Sequence, residues 1–337
     1  MRKFGLITAL AAGVALTATS AIAQTTIKYS NDWKWEGPAA PMLMALDKGW
    51  YSEAGLDVSM DTGKGSREAI PRVASGTYQM GSADINSLIK FRDKNPKLEV
   101  TAVMMIYNAP PFAIFGRKSL GVNSPKDLEG KTLGAPAPDG AYAQWNAFVK
   151  ANQIDASKVK IENVGFPVRE PLLAQGKVHA ITGFSFSSYI NLKSKGVAED
   201  DISLILMREH GLDLYGNVII VNPDFAKANP DAVKAFVAAT VRGFQATAKD
   251  PSSAVKHVLN HNDVAREAVE LERLQMALAQ NIVTDEVRAN GFGAVDMSRL
   301  ERSIDQIADT YTFKNRPKAG DVFDMQYLPA KGDRMMP

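Results

Sequence analysis

The chain has no cysteine among its 337 residues. That excludes a disulfide framework, thiolate metal ligands, a cysteine nucleophile and an N-terminal cysteine for lipid attachment. Histidine is scarce too, with four in all and none before His179. A surplus of either charge is missing: 39 basic and 37 acidic residues leave a formal net charge of +2, with no long block of one sign. Nucleic acid finds no basic footprint here and is not expected as a partner. After the first residues, no run approaches the ~20 uninterrupted apolar residues that cross a bilayer. Without disulfides, the fold must draw its stability from a buried apolar core.

The N-terminus reads as an export signal. Arg2 and Lys3 supply the positive start, residues 4–16 an apolar run, and Ala21, Ile22 and Ala23 a small-x-small site before Gln24. Cleavage near Ala23-Gln24 would leave 314 residues (337 minus 23), enough for two domains. Strands are expected over 27–30, 56–60, 78–82 and 98–107, and helices over 38–51, 66–74 and 86–93, an α/β alternation that continues to about residue 221. The pattern then repeats. "ASGTYQMGSAD" and "AQGKVHAITGF" both end a helix, turn at a glycine and enter a strand, with Gly76 and Gly176 lying 100 residues apart. "TIKYSNDWKWEGPAA" and "KTLGAPAPDGAYAQW" echo each other at a similar interval. Two echoes in one register imply two lobes of similar build with a cleft between them. Beyond 221 the spacing is helical and is expected to complete the first lobe, while "NRPKAGDVFDMQYLP" reads as a surface loop. The expected division is a signal over 1–23, one lobe from 24–113 and 221–337, and a second from 114–220. The strands at 110–118 and 215–223 are expected to cross between lobes as a hinge.

Four stretches carry a family resemblance: "AAPMLMALDKGWYSEAGLDV", "SGTYQMGSAD", "DLEGKTLGAP" and "FVKANQID". Together they resemble the solute-binding proteins of bacterial ABC importers, in the NMT1/THI5-like branch of thiamine-pyrimidine binders and pyrimidine synthases, with sulfonate, taurine and nitrate binders as cousins. The resemblance implies a type II periplasmic-binding-protein fold with two Rossmann-like lobes joined by a two-strand hinge. It implies a monomer in the periplasm that closes on a small-molecule solute and presents it to ABC permease transmembrane subunits driven by a cytoplasmic ATPase. No cofactor and no metal are expected.

In open α/β sheets, ligands sit beyond the carboxyl ends of strands, where helix N-termini offer free N–H groups. The opening loop "NDWKWEGPAAP" is unusual for a turn, since indoles left in water gain nothing. It offers Asn31, Trp33, Trp35 and Glu36 as ligand contacts. Other loops of the first lobe add Gly65, Ser66, Asp84 and Tyr107. The facing loops add Asp139, Tyr142, Phe166, Arg169, Phe184, Phe186, Asp213, Tyr215 and Asn217. Aromatics and carboxylates suit a flat, amine-bearing heterocycle. Structural alternatives stay open: Trp33 and Trp35 alternate and can both be core, Glu36 suits a first helical turn, Asp139 an N-cap, and Phe184 with Phe186 a sheet face. "GKGSRE" at 63–68 offers amides to an anion, but its spacing excludes a nucleotide P-loop. The runner-up solute is accordingly an alkanesulfonate or similar anion held by Arg67, Arg169 and helix N-termini.

Enzyme chemistry is not expected. The synthases of the resembled family use a histidine and a lysine in the segment matching "SGTYQMGSADINSLIKFR", where this chain has Ala83 and Ser87. Their cysteine-rich motif is missing as well. "GFSFSS" lacks the final glycine of a G-x-S-x-G elbow, and His257 with His261 reads as a solvated helix end.

Overall fold

The computed structural model describes residues 24–337, so the export signal expected over 1–23 lies outside the described residues. Ten strands form two sheets of five. The first holds β1 (Thr25–Ser30), β2 (Leu56–Asp61), β3 (Met80–Asp84), β4 (Thr101–Met105) and β10 (Asn217–Val221) in the order β2-β1-β3-β10-β4. The second holds β5 (Phe112–Arg117), β6 (Thr132–Ala135), β7 (Lys160–Asn163), β8 (Ala180–Phe184) and β9 (Ile202–Leu206) in the order β7-β6-β8-β5-β9. Each sheet is mixed, because β10 runs antiparallel to β3 and β4, and β5 antiparallel to β8 and β9. The architecture is α/β with two lobes.

The internal repeat is structural. The helices Ser66–Ala74 and Phe166–Ala174 each carry a proline, Pro71 and Pro171, and lead to β3 and β8 through Gly76 (φ 75°) and Gly176 (φ 68°). A left-handed residue ends a helix cheaply only as glycine, so the two glycines mark equivalent turns.

Alternation along the antiparallel strands divides the core. Val218 and Ile220 face one cluster, while Ile219 and Val221 face another. In β5, Phe112 and Ile114 join the cluster shared by both sheets, and Ala113 and Phe115 one confined to the second lobe. Helices after β10 pack on the first sheet: Phe236 and Phe244 of the helix Pro230–Lys249 share a cluster with Ile27, Tyr29 and Leu43.

Several expectations are corrected. The strands at 112–117 and 217–221 do not cross between lobes; each is an interior strand of one sheet, and the crossings are the segments 106–111 and 207–216. The helix expected over 38–51 breaks at Gly49, whose φ is 72°, into Ala40–Asp47 and Trp50–Glu53. The tail is no surface loop. Val322 and Phe323 are buried, and the Asp324 N–H donates to the Ala102 carbonyl of β4 at 2.9 Å.

Candidate functional site between the two sheets

Strand ends that share one edge of each sheet bring their loops together around a cavity with about 780 Å³ of empty space, its open mouth included. The β1 loop contributes Asn31, Asp32, Trp33, Lys34 and Glu36; the β2 loop Gly65 and Ser66; and β3 supplies Ser82. From the second lobe come Asp139 and Gly140 after β6, Phe166 and Arg169 after β7, and Phe184 at the end of β8 with Phe186 and Ser187 beyond it. Asn217 reaches the same edge because β10 runs antiparallel and starts where its neighbours end.

The walls are aromatic. Trp33 meets Phe166 of the other lobe edge to face, with centroids 4.6 Å apart and planes at 72°. Tyr107 lies 5.4 Å from Phe186, which lies 6.0 Å from Phe184. Such rings leave faces on which a flat ligand can stack.

Among the polar groups of the wall are three carboxylates, Asp32, Glu36 and Asp139, and two cations, Lys34 and Arg169. Asp32 accepts from Ser66 Oγ at 2.8 Å, Ser82 Oγ at 3.1 Å and Asn217 Nδ2 at 2.6 Å. Burial nevertheless pushes its carboxyl above the usual range. Asp139 accepts from Thr182 Oγ1 at 2.7 Å, and burial raises it too, against the pull of Arg169 at 3.5 Å. Arg169 is held by Glu170 at 2.6 Å, and it is 3% exposed. Burial pushes Glu170 upward, but the Arg169 charge together with the hydrogen bonds from Arg169 and Ser188 outweighs it and holds Glu170 below its ordinary value. Glu36 accepts from Ser187 Oγ at 2.9 Å and lies 3.3 Å from Arg273. Lys34 sits at the mouth, exposed, 5.5 Å over the Trp33 ring.

The lobes touch on both flanks of the cavity. On one, Arg67 donates to the Ala137 carbonyl at 2.8 Å and Gln144 to Asp84 at 3.1 Å. On the other, Arg273 donates to the Ser187 carbonyl at 3.0 Å, and Lys193 pairs with Glu272 at 2.7 Å.

Of the residues expected at the site, Asn31, Trp33, Glu36, Gly65, Ser66, Tyr107, Asp139, Phe166, Arg169, Phe184, Phe186 and Asn217 line the cavity. Five lie elsewhere. β1 stops at Ser30, so strand alternation does not extend to the tryptophans; Trp35 packs into the first core cluster while its carbonyl accepts from Asn262. Asp84 caps the helix Ile85–Lys94 through the Asn86 and Ser87 amides. Tyr142 packs on the shared cluster. Asp213 pairs at the surface with Arg299 at 3.0 Å, and the Tyr215 hydroxyl donates to Glu286 at 2.6 Å. Conversely, Asp32, Ser187 and Phe244 line the cavity without having been selected. Asp32 lay in the flagged loop, but Phe244 comes from a distant helix and nothing near it in sequence points to the cleft.

The family model described as NMT1/THI5 like matches residues 38–254. Among similar proteins, a riboflavin-binding protein of Chloroflexus aurantiacus is 26% identical over 217 residues, which cover 64% of this chain and 60% of that protein. A formylaminopyrimidine-binding protein of Halalkalibacterium halodurans is 25% identical across 96% of this chain and 98% of its own length. A 4-amino-5-hydroxymethyl-2-methylpyrimidine phosphate synthase of Legionella pneumophila is 23% identical over 66% of this chain and 69% of its own. A Candida albicans protein with the generic periplasmic binding protein fold superposes with a TM-score of 0.68 at 14% identity, covering 91% of this chain and 99% of that one. The alkanesulfonate-binding protein of Xanthomonas axonopodis pv. citri gives 0.65 at 14%, covering 91% and 98%. Those superpositions establish a periplasmic-binding-protein fold. Since the matched residues hold nine of the ten strands and most of the cavity wall, the chain belongs to the NMT1/THI5 like family.

Proposed function

We propose that this protein is the periplasmic solute-binding component of an ABC import system. It captures a flat, amine-bearing nitrogen heterocycle of the thiamine-pyrimidine kind by hinge closure and delivers it to the membrane permease, acting as an exported monomer. One observation carries this reading. The cavity joins aromatic faces to three buried carboxylates; Glu36 lies 3.3 Å from Arg273 and Asp139 3.5 Å from Arg169, so Asp32 is the one without a cationic partner among the described residues. A buried carboxylate that lacks a cation asks for a ligand donor such as an exocyclic amine or ring N–H. The printed names of the pyrimidine- and riboflavin-binding relatives point to the same chemical class.

The alkanesulfonate reading needs a free cation in the cavity. Arg169 is neutralised there, Arg67 donates to a backbone carbonyl and does not line the wall, and Lys34, the one lining cation without a carboxylate partner among the described residues, is exposed at the mouth. A synthase needs a reactive side chain at the ligand. No histidine is among the lining residues, Ala83 is buried within β3, and the Ser87 hydroxyl donates to Asp84 at 2.7 Å.

The test is a thermal-shift and titration screen of protein refolded to strip carried-over solute, against aminopyrimidines, riboflavin, alkanesulfonates, taurine and nitrate. A true solute at one hundred times its dissociation constant adds about 2.7 kcal/mol of stability. Small-angle scattering should show compaction with the same compound. A response to sulfonates alone would replace the heterocycle reading.

A further inference from the structure

The helix Glu267–Ala277 of the first lobe touches both the β1 loop and the second lobe. It grips the loop closely. The Gly37 N–H donates to Glu270 at 2.6 Å, and a β-carbon on Gly37 would collide with the Glu270 carbonyl, so the loop backbone rests directly on the helix. Arg273, one turn further along and 2% exposed, reaches both ways. Within its own lobe, Nε donates to Glu270 at 3.1 Å and Nη1 lies 3.3 Å from the cavity carboxylate Glu36. Toward the other lobe, Nη1 donates to the Ser187 carbonyl at 3.0 Å and Nη2 to Asn191 Oδ1 at 3.2 Å, both on the helix Ser185–Ser194. Glu36 is held by the second lobe as well, since Ser187 Oγ donates to it at 2.9 Å.

We propose that Arg273 is a positioning residue that latches the two lobes together and, in the same act, fixes Glu36 in the cavity wall. The argument lies in how its partners are divided. Both of its carboxylates, Glu36 and Glu270, belong to the first lobe, whereas the second lobe offers it only neutral acceptors. When the lobes part, the guanidinium keeps its two counter-charges, so opening strands no buried charge. What opening breaks is a set of hydrogen bonds from a charged donor to neutral acceptors, strong enough to bias closure and weak enough to be reversed. A planar guanidinium suits this place, because its five N–H groups fork to both lobes at once. Closure also brings Ser187 Oγ onto Glu36, so the setting of that carboxylate and the join between lobes form one network. The inference rests on the solute-binding reading above and adds to it the device that holds the cavity shut. A lower closed fraction weakens apparent solute affinity by the same factor.

The chain has no cysteine, so Val168→Cys and Val264→Cys, at exposed positions on opposite lobes, supply a unique pair of spin-label sites. Double electron-electron resonance on this labelled parent, stripped of carried-over solute, reads the ratio of short to long separations. The parent should show a short-separation population. Arg273→Lys keeps a cation beside Glu36 and Glu270, and with it the fold, but one ammonium cannot fork to both Ser187 and Asn191; the short-to-long ratio should fall by about tenfold or more. Asn191→Ala removes one acceptor from the second lobe and no charge, and should lower the ratio in the same direction even if the arginine variant fails to fold. A ratio unchanged in both variants, or a parent with no short separation, overturns the latch. Because no solute is added, that result leaves the solute-binding reading standing. A latch that responds as expected in a protein that no heterocycle or sulfonate stabilises overturns the solute-binding reading alone.

Discussion

Trp33 is half-buried, and the rest of its environment is Phe166 across the cleft and Lys34 at the rim. It contributes little to either lobe's core, so Trp33→Ala should weaken solute affinity by about tenfold or more while shifting the melting temperature only slightly. Titration beside a thermal melt checks this, and an unchanged dissociation constant would remove Trp33 from the site. Arg169 behaves differently. Its guanidinium is 3% exposed between Glu170 and Asp139, so Arg169→Met strands two buried carboxylates and should cost about 3–5 kcal/mol in urea denaturation. A loss near zero would mean that those carboxylates take up protons without penalty. At this scale the sequence was partly legible. The residue types of the β1 loop announced a ligand, yet Trp33 and Trp35 part company because the chain bends after Ser30, and no periodicity describes a bend. Asp84 and Asp32 show the same limit. Both are buried acids at strand ends, and only the positions of the Asn86 and Ser87 amides make one of them a cap.

The recurring element is a strand, a short loop and a helix, and its loop carries the site. Gly65 shows how tightly the loops of opposite lobes approach: it sits at φ 104° before the helix Ser66–Ala74, and a β-carbon there would lie 2.6 Å from the Pro138 carbonyl oxygen of the other lobe. Gly65→Ala should therefore strain the backbone and hold the lobes apart, weakening solute binding by about tenfold or more. Scattering of the variant with saturating solute should show incomplete compaction. Normal affinity and normal compaction would mean that the Pro138 loop yields freely. Elements were the most legible level, because apolar spacing and glycine placement are local. Gly76 and Gly176 make the repeat visible in the sequence itself, and both adopt the left-handed turn that their spacing implies. The strands at 112–117 and 217–221 were found but given the wrong role, since an apolar run has the same composition whether it links two sheets or completes one.

For the whole molecule, acidity separates two sets of carboxylates. Burial pushes Asp84 from 3.8 up to about 6, so the folded protein keeps a proton that the unfolded chain has already lost. Its contribution to stability therefore falls as pH rises between about pH 4 and pH 6, by about 3 kcal/mol at full span. Glu170 has the opposite sign. Its pKa is held low, so its stabilisation is present above its unfolded value of about 4.3 and is lost as pH falls through the folded value. Asp84→Asn should flatten the decline between about pH 4 and pH 6 in urea midpoints, and a slope equal to wild type would show that Asp84 does not set it. The sequence by itself determined the local grammar: which runs become strands, where helices start and stop, and which loops follow strand ends. Those features depend on side-chain spacing and backbone preference within a few residues. Only the tertiary structure decided which loop side chains face one another across the cleft, that Phe244 joins them from a remote helix, and that Arg169 and Arg273 are already engaged by carboxylates. Two lobes must be packed before burial and paired charges exist, because each of these is a property of distance between segments far apart in the chain.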